Sequence, residues 1–225
     1  MTYTDIFSQW TESRAVWNKG AAGVVTRTRE VEAARPFLLL GFDSDNGGEF
    51  LNYHLWRYFS ERATPVSFTR SRPYHNNDNA HVEQKNWAHA RQPLGPELVA
   101  EGLLGCERLE AEALLEPINA LYTEVWNPRQ NFFCPALALR EKVKEGSRYR
   151  KRYAPAQTAC ARLLAWPDLK TPQRRELRAR QAELDPLALA EDKERRLREI
   201  FAMARRSSRP TGSLRAAPLP APKPR

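Results

Sequence analysis

The hydrophobic pattern changes period several times along the chain. Residues 1–6 and 13–18 each read as a short strand, with a polar, turn-like stretch over residues 8–13 between them. From residue 21 the period becomes helical: Ala21, Val24, Thr28 and Val31 fall on one face, and Pro36 stops the run. Residues 36–42 are a continuous apolar stretch of strand length, the pattern of a strand covered on both faces. Asp45, Asn46, Gly47 and Gly48 then break the chain as a turn. Residues 49–62 return to helix, with Phe50, Leu51, Leu55, Tyr58 and Phe59 on one apolar stripe. A short strand at 66–69, a polar loop at 71–78 and helices at 79–91 and 107–126 follow. Strands alternating with helices predict an α/β core with some parallel pairing.

Beyond Arg140 the character shifts. Residues 148–153 are a dense basic cluster, and 172–206 read as one or two charged helices. Thr171 and Pro172 mark the start and Asp185-Pro186 a break. From Ser207 the chain holds Pro, Ser, Ala and Arg with few large apolar residues, a composition expected to stay disordered. Charge follows the same division. Residues 1–139 carry 13 Lys and Arg against 17 Asp and Glu, whereas 140–225 carry 23 against 10. A net of −4 followed by +13 suits a polyanionic partner, nucleic acid first among them, although a solvated Arg-rich helical surface gives the same count. The longest apolar stretch is too short to span a bilayer, and the first residues lack the basic-then-apolar pattern of a signal peptide. Cys106, Cys134 and Cys160 are isolated, without CxxC spacing, which suits a reducing cytosol rather than a zinc site. The four histidines show no i,i+4 pair, and core packing accounts for the scattered tryptophans better than base stacking does.

Two carboxylates stand out by position. Asp45 follows the apolar strand, and ligands of α/β sheets gather at carboxyl ends of strands. It also fits an ordinary Asp-Asn-Gly turn, and Asp43, on the same strand face, is its rival. Glu83 shares its helical stripe with Ala80, Trp87 and Ala90, so it is either a residue at the seam or an inward carboxylate needing a metal or a base. Carboxylates converging from separate elements can hold two Mg2+ ions for phosphodiester chemistry, but the spacing of Asp45 and Glu83 alone is a weak signal.

The flanking residues add to this. Asp43-Ser44-Asp45-Asn46-Gly47-Gly48-Glu49-Phe50 resembles the second-aspartate segment of the retroviral-integrase-like core of DDE-type transposases. Phe68-Thr69-Arg70-Ser71-Arg72-Pro73-Tyr74, then the residues from Asn77 to Trp87, are similar to the loop and helix carrying the glutamate in bacterial insertion-sequence transposases. Thr4-Asp5-Ile6, Trp10-Thr11-Glu12, Gln130-Asn131-Phe132-Phe133 and Arg150-Lys151-Arg152-Tyr153 resemble further segments of that group. The resemblance covers roughly residues 1–170, and the block 68–87 is its most specific part.

The resemblance implies an RNase H-like mixed five-stranded sheet flanked by helices at 1–130, a basic, mainly helical region at 131–206 and the tail at 207–225. It implies DNA transposition by Mg2+- or Mn2+-dependent cleavage and strand transfer, in the cytoplasm and on the nucleoid, with self-association as a family expectation. Asp45 and Glu83 become the second and third acidic metal ligands. Arg72, Tyr74, Asn77 and Lys85, with Asn79, become candidate contacts to DNA. The family's first aspartate lies upstream of the segment matched by Thr4-Asp5-Ile6, so the chain is expected to be impaired in catalysis by its loss. Asp5 falls where the family has a structural aspartate. A DNA-binding protein without catalysis is the alternative, and an unpaired sheet strand is a further expectation. A connection lengthened around residues 96–105 is expected as well.

Overall fold

The computed structural model describes residues 1–17, 20–44, 53–70 and 112–207. The chain begins with an antiparallel hairpin of β1 (Thr2–Thr4) and β2 (Thr11–Ser13), with Tyr3 opposite Glu12. The connection is tighter than the sequence predicts, so the second strand starts earlier. Asp5 accepts hydrogen bonds from the Ser8 amide (2.7 Å) and hydroxyl (2.6 Å), and its own amide donates to the Trp10 carbonyl (2.8 Å). Gln9, at φ 62, turns the corner in the left-handed region.

Helix α1 (Ala21–Ala34) buries Val24, Thr28 and Val31, as its periodicity predicts. It stops at Ala34; Arg35 is already extended, the conformation a residue before proline prefers. The apolar run after it departs from expectation. Strand β3 occupies Gly41–Ser44, later than predicted, while Leu38 and Leu40 are 72% and 79% exposed. Apolar character marked a covered segment, but no described element lies over these two side chains. Strand β3 pairs in parallel with β4 (Ser67–Arg70), with Phe42 opposite Phe68. Between them runs α2 (Tyr53–Ser60), whose Leu55 and Phe59 are fully buried with Val24 and Val66. The rings of Phe42, Phe59 and Phe68 stack at centroid distances of 4.6 to 6.0 Å.

A continuous helical run then crosses the molecule. A 3-10 turn (Glu112–Leu114) leads into α3 (Leu115–Ala120), a π-helical stretch (Leu121–Trp126) and α4 (Asn127–Phe133). It passes the Trp126 end that the sequence suggested. Pro128 gives the reason for the change of register: without an N–H, and with its ring against the carbonyl four residues back, it cannot take the α-helical bond. The Asn127 amide instead reaches the Tyr122 carbonyl, five residues back.

The basic region opens as strand rather than helix. Strands β5 (Leu139–Glu145) and β6 (Arg148–Tyr153) form an antiparallel hairpin, turned at Gly146 with φ 64, a conformation glycine takes at no steric cost. Helices α5 (Ala159–Ala165), α6 (Thr171–Glu183) and α7 (Pro186–Ser207) complete the described chain. Thr158 caps α5 through the Ala161 amide, and the Asp185 carboxylate caps α7 through the amides of Leu187 and Ala188.

Two cores flank the long helix. Leu114, Ile118, Leu121 and Val125 pack against Leu197, Ile200 and Phe201 of α7. Trp10 and Phe132 pack with Ala159, Cys160 and Leu163 of α5 and with Leu177 of α6. The class is mixed α/β; among the described residues the six strands form three separate two-stranded sheets. No described helix is long and apolar enough to cross a membrane.

Candidate functional site

A cleft of about 860 Å3 opens between the β1–β2 hairpin, α1 and the segment leading through β3. Its walls include Tyr3, Leu38, Leu40, Phe42 and Trp166. Strands β1 and β3 both line it, and among the described residues each is paired along one edge alone. Four carboxylates also border it: Asp5, Glu12, Glu32 and Asp43.

Each of the four already has partners. Asp5 is held by Ser8, as above. Glu32 accepts the Tyr58 hydroxyl at 2.5 Å, and Arg62 Nη1 donates to both of its oxygens at 2.9 Å. Burial and this carboxylate push the Tyr58 phenol up to about 12. Asp43 accepts the Thr69 hydroxyl at 2.6 Å, tying β3 to β4 one residue before the strand ends. Glu12 lies deepest. It accepts from Trp10 Nε1 (3.0 Å), Arg14 Nη1 (3.1 Å) and Asn127 Nδ2 (2.8 Å). Burial raises its pKa against the lowering pull of Arg14, itself 2% exposed. A buried acid whose three donors include its own cation is fully engaged by the fold, and losing a partner would leave a buried charge uncompensated.

Strand β3 ends, among the described residues, at Ser44. Ser44 is buried, and its Oγ has no hydrogen-bond partner among the described residues. Asp45 is the next residue in sequence but lies outside the described residues. So do Glu83, Arg72, Tyr74, Asn77, Lys85 and Asn79. Neither their mutual distances nor their contacts are therefore part of the described geometry. Among the described residues no group of three or more His, Cys, Asp or Glu side chains gathers where a metal could bind.

A structural constellation escaped the sequence reading. Asn119, Asn127 and Asn131 project from the long helix onto the outer edge of β2 and its extension. Asn131 accepts the Thr11 amide (2.8 Å) and donates to the Thr11 carbonyl (2.9 Å). Asn127 treats Ser13 likewise at 3.2 and 3.4 Å, and Asn119 treats Ala15 at 2.9 and 3.1 Å. The available signal was the presence of asparagine on otherwise apolar helical stripes, where an unpaired amide is costly.

No family profile matches the sequence. No solved structure matches it. The chain is 36% identical over 163 residues to a Sinorhizobium fredii (strain NBRC 101917 / NGR234) protein named "Uncharacterized protein y4rM". That match takes in 72% of this chain and 43% of the relative, so the chain spans less than half of the relative's length.

Proposed function

We propose that this chain is part of a DDE-type transposase with an integrase-like, RNase H-like core. In this reading it acts on DNA by metal-dependent phosphodiester cleavage and strand transfer. The observation that carries it is the β3–β4 pair. Strand β3 runs parallel to β4, is backed by α1 and α2, and ends at Ser44 directly before Asp45. The carboxyl end of a parallel strand is where an α/β sheet gathers its reacting groups. The residue block 68–87 supports the same reading from sequence.

Asp45 and Glu83 would hold divalent cations, because carboxylate oxygens are hard donors suited to Mg2+ or Mn2+. Such ions, when bound, activate a water or a 3′-hydroxyl and stabilise the leaving oxygen. Arg72 and Lys85 would balance phosphate charge, and Tyr74 and Asn77 would position the strand. The reaction asks for a further carboxylate. Asp5 is engaged by both donors of Ser8 and is suited to its turn rather than to a metal. The chain on its own is therefore expected to bind DNA and cut it slowly.

The test uses the purified chain, a labelled duplex and Mg2+ or Mn2+, with Glu83→Gln alongside. Slow metal-dependent nicking that Glu83→Gln abolishes is the expected result. Nicking that persists unchanged in the variant overturns the assignment of Glu83. Binding with no cleavage in either protein favours the second reading, a DNA-binding protein without catalysis. The fully exposed basic hairpin is the observation behind that reading.

A further inference from the structure

The β5–β6 hairpin has two chemically different faces. Side chains alternate along a strand, and the register assigns each to a side. Glu141 sits opposite Arg152, Val143 opposite Arg150 and Glu145 opposite Arg148. On this side two of the three arginines are paired, leaving a net charge of one: Arg152 meets Glu141 at 3.5 Å and Arg150 meets Glu145 at 3.3 Å. The other side carries Lys142, Lys144, Lys151 and Tyr149, with no carboxylate. Lys142 Nζ lies 4.4 Å from the centre of the Tyr149 ring. Every residue of both strands is exposed.

Folding does not account for this arrangement. Lys142 and Lys151 are directly opposed, and like charges in that relation destabilise a ladder. The hairpin buries neither face, so no packing offsets the cost. A polyanion laid along the lysine side removes it. A two-stranded ribbon is also narrow enough for the major groove of B-form DNA, about 12 Å wide.

We propose that the Lys142, Lys144 and Lys151 side of the hairpin is a contact surface for the phosphates of double-stranded DNA, independent of base sequence. The choice of DNA over other polyanions rests on the function proposed above; the surface itself rests on the segregation of charge. Tyr149 keeps Lys142 extended over the ribbon, and on the opposite face glutamates occupy Arg150 and Arg152.

The test is a fluorescence-anisotropy titration of the full chain against a labelled duplex of arbitrary sequence between about 50 and 200 mM salt. Three proteins are compared with the wild type: K142S/K144S/K151S, R148S/R150S/R152S and K142R/K144R/K151R. The lysine-to-serine variant is expected to lose about tenfold or more in affinity and to lower the salt slope by about 2 to 3. The arginine-to-serine variant should lose less, and the lysine-to-arginine variant should bind as the wild type does. Equal losses in both serine variants, or none in the lysine variant, overturn the surface while leaving the cleavage reading untouched. Wild-type binding to phosphatidylglycerol vesicles as tight as to duplex overturns the choice of DNA. Absence of metal-dependent nicking in the wild type, together with binding that is lost in the lysine variant, overturns the enzyme reading and leaves the surface standing.

Discussion

Asn131 does for the outer edge of β2 what a neighbouring strand would do. Its amide returns one acceptor and one donor to the same residue, Thr11. Removing it leaves a buried N–H and C=O without partners, each costing about 1 to 3 kcal/mol. Asn131→Ala is therefore expected to destabilise the fold by about 2 to 4 kcal/mol, read as a lowered denaturant midpoint at unchanged slope. Asn131→Asp should rescue little, because a carboxylate keeps the acceptor and repels the Thr11 carbonyl. The buried thiol and phenols set the alkaline limit. Burial pushes Cys160 up to about 11 and Tyr3 up to about 12, and Tyr58 reaches about 12 as well. Each is an acid held neutral by folding, with ordinary values of 9.0 for the thiol and 10.0 for the phenols. The stability they lend is complete below those values and is lost as pH rises through 11 to 12. The denaturant midpoint is expected to fall above about pH 10; a rise there would contradict these burial assignments. In alkylation at pH 8, Cys134, half-buried, should react with the native protein, and Cys160 only after unfolding.

At the scale of elements, the long helix joins what sequence position separates. Its Leu121 and Val125 face α7, and its Phe132 faces α5 and Trp10. Phe201 is 2% exposed at the centre of the first contact. Phe201→Ala is expected to cost about 3 to 5 kcal/mol, measured by urea denaturation; a loss below 1 kcal/mol would mean that α7 is not docked as described. The π-helical stretch belongs to the same design. Eight residues of α-helix make about 2.2 turns, which would swing Asn119 away from the line of Asn127 and Asn131. The wider π turn uses more residues per revolution and brings Asn119 back onto the strand side. Periodicity revealed α1, the burial of Leu55 and Phe59, and the Asp185-Pro186 break, because those signals are local. It misplaced β3, because Leu38 and Leu40 look like core but no described partner covers them. It gave residues 148–153 as a dense basic cluster within a mainly helical region and not as a strand, because a hairpin exposed on both faces leaves no alternation of apolar and polar positions. For the candidate site the sequence supplied residues and no distances. Asp45 and Glu83 rest on resemblance, while the strand that leads into Asp45 pairs in a defined parallel register with β4.

Across the whole molecule, pairing edges are treated unequally. The asparagines close one side of the N-terminal hairpin. The cleft side of β1 and β3 has no described strand beside it, and Leu38 and Leu40 stand exposed there. Such a surface favours self-association through strand edges. Leu38→Lys with Leu40→Lys is expected to leave thermal stability within about 0.5 kcal/mol of wild type and to lower the weight-average mass at high concentration in sedimentation. Unchanged mass would mean that association, if it occurs, uses another face. The asparagine contacts have a further consequence, in time. They join residues 104, 114 and 120 positions apart. A ribosome adding 5 to 20 residues per second needs on the order of ten seconds to deliver Asn131 after Thr11. Through that interval the newborn hairpin waits with its outer amides open to water, and to whatever nascent strand passes close by.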